Sequence, residues 1–201
     1  MTTARDLLIV ALDAGPGRRA EPGDLSLALA GAELLDLRDA RALTLDGDLL
    51  VPGDPPATDD RLLREAASAL VRQTPREPVE DWLWRRGRDL ASAYLAAFEE
   101  EGRFTRQRRR WLPSWTGEAA LVDSPARQQA TDRSAADEPV LATLTSTIGI
   151  REAPAAGLPD ETDTEVVTIL TAVDDAVTEL TAVRQRRAIE KAAFDNIWRG
   201  P

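Results

Sequence analysis

The sequence contains no cysteine and no histidine among its 201 residues. Without cysteine, the chain has no disulfide, no thiolate nucleophile and no cysteinyl zinc or iron–sulfur site. Without histidine, it lacks the commonest general base near neutral pH and the commonest metal ligand in proteins. We therefore expect a protein that is not an enzyme and that uses no metal or other cofactor.

Long hydrophobic runs are also missing, and we expect the N-terminal stretch not to be a secretory leader. No apolar stretch approaches the ~20 residues that a helix needs to cross a bilayer. The N-terminal stretch MTTARDLLIVALDAG has only a short apolar run that ends at Asp13, so we interpret it as part of the fold. We expect a cytoplasmic protein that docks peripherally on the inner face of the membrane.

The residues that are present predict a mainly α fold, a single-domain helical bundle with peripheral β-hairpins over residues 1–201. Residues 5–12 form a short apolar helix or strand. Apolar spacing and helix-end residues predict helices over 24–37, 59–73, 78–101, 124–136, 139–150 and 163–199, the last as one bent helix or as two. Strand alternation predicts hairpins over 42–51, with its turn at Asp46-Gly47, and over 103–123. The helix over 24–37 is apolar nearly all round, so we expect it at the centre.

Two kinds of motif that could carry chemistry have simpler interpretations. Gly15-Pro16-Gly17 lacks the Lys-Ser/Thr of a phosphate-binding loop and does not match the dinucleotide fingerprint, so a turn is favoured. Paired carboxylates such as Asp59-Asp60 stand where a helix begins, and negative charge is favourable there. The sequence therefore predicts no catalytic residue.

Arginine and tryptophan concentrate in two neighbouring segments of a chain whose formal net charge is −10. Arg85 and Arg88 share one face of the predicted helix over 78–101. The hairpin that follows carries five arginines within RFTRQRRRWLPSW. Guanidinium groups bind phosphate bidentately and tryptophan prefers the membrane interface, so both segments favour contact with an anionic surface. The alternative is that these arginines only pair with nearby glutamates.

The predicted contact residues form two sets. Arg85 and Arg88 are candidates for binding a lipid headgroup. The hairpin set contacts an anionic membrane surface or a neighbouring subunit of a homo-oligomer, and consists of Arg106, Arg108, Arg109, Arg110, Trp111 and Trp115. Near an anionic leaflet each arginine contributes on the order of 1 kcal/mol, so five would support a weak, reversible attachment.

Nucleic acid is the rival ligand for these arginines. A helix followed by a two-stranded wing, in a mostly helical chain, is typical of winged-helix regulators. The sequence pI of about 4.6 argues against this interpretation, because nucleic-acid-binding domains usually carry a net basic field. We therefore expect no nucleic acid partner.

The order of motifs resembles the Golgi phosphoprotein 3 family in its bacterial, actinobacterial-type branch. Over residues 5–125 the resemblance is carried by LLIVALD, LALAGAELLDL, DDRLLREAASAL, PREPVEDWL and LASAYLAAFEEEGRF, and the C-terminal helices follow more loosely. It implies a mostly helical domain with peripheral hairpins and a peripheral membrane adaptor. It also implies binding of phosphatidylinositol 4-phosphate, as in the eukaryotic members, and contact of the second hairpin with the membrane or with another copy.

Four positions of the family's headgroup pocket carry over onto this sequence. One pocket arginine falls at Arg88 and is retained. The other two arginines fall at Ala91 and Ala30, and the pocket tryptophan falls within residues 21–23. The leading prediction is a non-enzymatic adaptor that docks on anionic lipid, and the alternative is a protein-interaction module that has lost lipid binding.

Overall fold

A computed structural model describes residues 2–15, 17–106, 119–153, 158–159 and 161–198. This part of the chain is mainly helical, as the sequence predicts. Its helices are α1 (Thr3–Asp13), α2 (Pro22–Asp39), α3 (Arg61–Ala69), α4 (Val79–Arg86), α5 (Leu90–Glu100), α6 (Pro125–Ala135), α7 (Pro139–Thr147) and α8 (Thr164–Trp198). Its strands form two antiparallel pairs, β1 (Leu43–Asp46) with β2 (Leu49–Pro52) and β3 (Phe104–Arg106) with β4 (Ala119–Leu121).

Helix α2 lies at the centre of the core, as its apolar sequence predicts. Every residue from Asp24 to Leu37 is buried, and α1, α4, α5 and α8 pack around this helix. Trp82 of α4 is fully buried, and its indole Nε1 donates a hydrogen bond to the Ala30 carbonyl oxygen at 3.2 Å. The tryptophan therefore holds α4 against the middle of α2.

The prediction of one helix over residues 78–101 is wrong, because the structure has two helices there. Helix α4 ends at Arg86 and α5 begins at Leu90, and Asp89 between them adopts the left-handed region at φ 55°. Arg85 and Arg88 therefore do not share a helical face.

Both hairpins occur where the sequence predicts them. In the first, Asp46 pairs with Leu49, so the turn is Gly47-Asp48, one residue later than predicted. Gly47 adopts φ 65°, the positive value that a two-residue hairpin turn requires. In the second hairpin, Phe104 pairs with Leu121 at the base.

At both ends of the chain the structure decides between the alternatives that the sequence left open. The N-terminal segment is a helix, and the C-terminal segment is one helix of 35 residues whose buried apolar residues lie between Val166 and Val177. None of the helices in the described residues combines the length and the apolar character that crossing a membrane requires. The extent of a single domain over residues 1–201 stays a prediction.

The close packing of α2 against α8 leads to a testable expectation at Gly31. A Cβ atom there would lie 2.3 Å from Val173 Cγ2. We expect Gly31→Ala to lower the free energy of unfolding by about 1–3 kcal/mol, because overpacking outweighs the gain in helix propensity. Urea unfolding followed by circular dichroism measures the change, and Gly15→Ala is the control, since no atom lies within 4 Å of its added carbon. A Gly31→Ala protein as stable as the wild type would contradict this packing.

Candidate functional site

A cleft of about 250 Å³ lies where the turn between α4 and α5 meets the first turn of α2 and one side of α8. Its walls are mainly apolar, with polar and charged groups contributed by the turn. The side chains that matter for its chemistry are Leu27, Trp84, Arg88, Asp89, Ser92 and Leu180. The cleft thus combines apolar walls with one cationic side chain.

The α4–α5 turn is held against α2 by close backbone contacts. Gly87 lies so close to α2 that an added Cβ would lie 3.3 Å from Leu27 Cδ2 and 3.4 Å from the Ser26 carbonyl oxygen. The Ala91 N–H at the start of α5 donates a hydrogen bond to Ser26 Oγ at 3.1 Å. These contacts place Arg88 beside the first turns of α2.

The opposite wall is fixed by an ion pair between α8 and α2. Arg184 Nη1 lies 2.9 Å from Asp24 Oδ2, and Arg184 Nη2 lies 2.8 Å from Asp24 Oδ1. The hydrogen bond to Asp24 raises the pKa of Arg184, so the guanidinium stays charged. Gly23 permits this approach, since a Cβ there would lie 2.9 Å from Leu180 Cδ2.

The electrostatics of the cleft suit an anion. Arg88 is exposed, and it forms no hydrogen bond or ion pair with any residue that the structure describes. The first turns of α2 and α5 border the cleft, and helix N-termini carry partial positive charge. Arg184 neutralises Asp24, which leaves Asp89 as the other carboxylate at the cleft. An anionic group bound here would meet a guanidinium and the positive ends of two helices together.

Arg85, the other residue predicted to bind a headgroup, pairs with Glu77 away from the cleft. Its Nε and Nη2 each donate a hydrogen bond of 2.7 Å to the Glu77 carboxylate, and its guanidinium lies 5.2 Å from the Trp82 ring centroid. The hydrogen bond to Glu77 raises the pKa of Arg85. Arg85 does not line the cleft, so the structure separates it from Arg88. A role for Arg85 in lipid binding stays a prediction.

The residues predicted to contact a membrane or a second subunit lie in the second hairpin. Arg106 is the last residue of β3, and the structure describes its backbone but not its side chain. The rest of this set lies outside the described residues, namely Arg108, Arg109, Arg110, Trp111 and Trp115. The contacts of this hairpin therefore stay a prediction.

Three of the four positions that the resemblance assigns to a headgroup pocket come together at the cleft. Arg88 and Ala91 line it, and so do two residues of the segment 21–23. Sequence reasoning missed Trp84, Leu180 and Arg184. Helical spacing relates Leu180 to Arg184, but nothing local relates either residue to α2, because Asp24 and Arg184 are 160 positions apart.

One family of known proteins matches nearly the whole length of the chain. The family model described as Golgi phosphoprotein 3 (GPP34) matches residues 4–195. The matched range contains the first turn of α2, the α4–α5 turn and the part of α8 that lines the cleft. No curated protein matches the sequence.

Proposed function

The chain belongs to the Golgi phosphoprotein 3 family, and from this we propose that it is a non-enzymatic peripheral membrane protein that binds an anionic phospholipid headgroup. Membership in this family fits a lipid-binding or adaptor role. The headgroup occupies the cleft beside Arg88. Phosphatidylinositol 4-phosphate is the specific lipid that the resemblance implies.

The observation that carries the proposal is the free guanidinium of Arg88 at the mouth of the cleft. Two other arginines of the same segment are already bound, Arg85 to Glu77 and Arg86 to Glu33. Arg88 alone of the three has no partner among the described residues. A phosphate group beside it would complete charge-assisted hydrogen bonds without displacing any internal contact.

The second hairpin extends the proposal beyond the described residues. Its arginines and tryptophans have the composition of a surface that docks on anionic lipid. We propose that this hairpin adds contacts to the same membrane, or that it joins two copies of the chain there. The proposal places the protein on the inner face of the membrane.

Replacing Arg88 should weaken binding to anionic vesicles. We expect Arg88→Gln to reduce the affinity about tenfold or more, because hydrogen bonds to a charged group contribute about 1.5–3 kcal/mol. Co-sedimentation over a salt series measures the affinity, with vesicles that contain phosphatidylinositol 4-phosphate or an equally charged control lipid. Arg64→Gln is the matched control, since Arg64 is exposed on α3 and does not line the cleft.

Each outcome of this experiment has a distinct meaning. A preference for the phosphoinositide that disappears in Arg88→Gln would support a headgroup site in the cleft. Equal, salt-sensitive binding to both lipids that is unchanged by Arg88→Gln would contradict the cleft and leave the hairpin as a general electrostatic anchor. Failure of the wild type to bind either vesicle at low salt would overturn the proposed function and favour the protein-interaction alternative.

A further inference from the structure

The basic residues of the described chain divide into two groups by what their side chains contact. Those between packed elements bind carboxylates, as Arg5 binds Asp60 and Glu101. Others are exposed and form no ion pair with any residue that the structure describes. This second group includes Arg88, which lines the cleft, Arg18 and Arg19, which precede α2, and Arg187 and Lys191, which follow Arg184 on α8.

Arg187 and Lys191 lie on α8 beyond Leu180, the residue that this helix contributes to the cleft. Arg184 holds this side of α8 against the first turn of α2. Arg187 and Lys191 follow Arg184 by three and seven residues, the spacing that places side chains on the same side of a helix. Residues 185–194 are all exposed, so the helix continues past its packed part. Lys191 lies ~10 Å beyond Arg184 along the helix axis.

Arg18 and Arg19 lie on the loop that leads into α2. Pro22 and Gly23 line the cleft, and Arg19 precedes Pro22 by three residues. A segment of that length spans at most ~11 Å even when it is fully extended. Both arginines are exposed, so their charges are presented to solvent close to the start of α2.

We propose that Arg18, Arg19, Arg187 and Lys191 form a cationic rim that holds an anionic bilayer against the mouth of the Arg88 cleft. The inference rests on the proposed function, because a headgroup in the cleft determines which face of the protein meets the membrane. The rim residues come from two segments that are distant in sequence, and each segment adjoins a residue at the cleft. Arg18 and Arg19 precede Pro22, and Arg187 and Lys191 follow Leu180 on α8. A single soluble phosphate bound in the cleft would not reach the end of α8, whereas a bilayer presents anionic headgroups repeatedly across its surface.

Nucleic acid is another extended polyanion that such a rim could meet. The formal net charge of −10 disfavours long-range attraction to either polyanion, so short-range contacts have to decide between them. A bilayer is favoured because the cleft beside Arg88 has mainly apolar walls and can receive one headgroup. Binding to duplex DNA is therefore an outcome that the experiment has to distinguish.

The test compares two variants that each lose two positive charges. Arg187→Gln/Lys191→Gln removes the α8 part of the rim. Arg64→Gln/Arg186→Gln is the matched control, because Arg64 lies on α3 and Arg186 lies on the side of α8 opposite Arg184. Partitioning is measured on vesicles of phosphatidylcholine with phosphatidylserine over a salt series, beside Arg88→Gln. We expect the rim variant to bind on the order of 25-fold more weakly at low salt, about fivefold for each cation, and the control to change far less.

The results separate this inference from the proposed function. A rim variant that binds as well as the control, while Arg88→Gln binds weakly, would overturn the rim and leave the cleft in place. A wild type that does not bind these vesicles would overturn the rim, while vesicles with phosphatidylinositol 4-phosphate would still decide the proposed function. A wild type that shifts duplex DNA but ignores vesicles would replace the membrane by nucleic acid as the partner. The loss expected for Arg187→Gln/Lys191→Gln, with its disappearance at high salt, would support the rim.

Discussion

Replacing Glu33 with alanine should lower the free energy of unfolding by about 3–5 kcal/mol. Glu33 is fully buried on α2, and its carboxylate accepts hydrogen bonds from Arg86 Nε at 2.7 Å and Arg86 Nη2 at 2.8 Å. The Tyr94 hydroxyl donates a third hydrogen bond at 3.1 Å. Alanine would leave the guanidinium of Arg86 in the core without a counter-charge, and this uncompensated charge accounts for most of the expected loss.

The pKa of Arg86 also depends on Glu33. Burial lowers the pKa of Arg86, but the hydrogen bond and the charge of Glu33 outweigh burial and raise it above its ordinary value. Arg86 therefore cannot escape the cost of the missing carboxylate by losing its proton. The pair must be kept or removed as a whole.

A double-mutant cycle measured by urea unfolding tests this dependence. Glu33→Leu and Arg86→Met should each be strongly destabilising, while the double variant should lose much less than the sum, because no buried charge remains. Arg61→Met is the control, since the exposed Arg61–Glu65 pair should contribute less than about 1 kcal/mol. Additive losses in the cycle would show that Glu33 and Arg86 do not depend on each other.

Lowering the pH from 7 to 4 should raise the contribution of Asp36 to the free energy of unfolding by about 2 kcal/mol. The Asp36 carboxylate is buried and accepts hydrogen bonds from the N–H groups of Thr3, at 2.7 Å, and Ala4, at 3.0 Å, in the first turn of α1. Burial raises the pKa of Asp36 to about 6, although these hydrogen bonds oppose the shift.

The sign of the effect follows from the pH at which the folded and the unfolded protein each bind a proton at Asp36. The folded protein binds a proton at Asp36 as the pH falls through about 6, and the unfolded chain does so only near 3.8. The contribution to stability is therefore fully present below pH 3.8 and is lost as the pH rises through 6. At neutral pH the ionised carboxylate in the core reduces stability.

The measurement is the difference in the free energy of unfolding between the wild type and Asp36→Asn at several pH values. Asparagine does not titrate, so the wild type should become more stable relative to Asp36→Asn as the pH falls. Leu7→Ala is the control, because it removes a fully buried apolar side chain from α1 and its difference from the wild type should not depend on pH. A constant difference for Asp36→Asn between pH 4 and 7 would contradict the raised pKa.

Features that depend on a few neighbouring residues could be predicted from the sequence. Asp60 begins α3 by accepting hydrogen bonds from the N–H groups of Leu62 and Leu63, and Ser124 begins α6 by accepting one from the Arg127 N–H. Capping residues act within a single helical turn, so their effect is visible in the local pattern. The central position of α2 was also predictable, because apolar residues surround that helix on all sides.

The break between α4 and α5 could not be predicted in the same way. Apolar residues at Leu83, Leu90 and Tyr94 continue a helical spacing across the break, and glycine within a helix is tolerated at a cost of about 1 kcal/mol. The turn at Asp89 is stabilised by contacts with α2, such as that of Ala91 with Ser26. Those contacts join residues 65 positions apart, so no short window of the sequence contains them.

The sequence by itself determined most helices, both hairpins, the absence of cysteine and histidine chemistry, and the resemblance to a family. Only the tertiary structure decided which arginines are available to a ligand. Arg85, Arg86 and Arg88 lie within four residues, yet Glu77 binds the first, Glu33 binds the second, and the third remains exposed beside a cleft. Hydrogen-bonded ion pairs form over distances of about 3 Å, and folding alone determines which carboxylates come that close to each guanidinium.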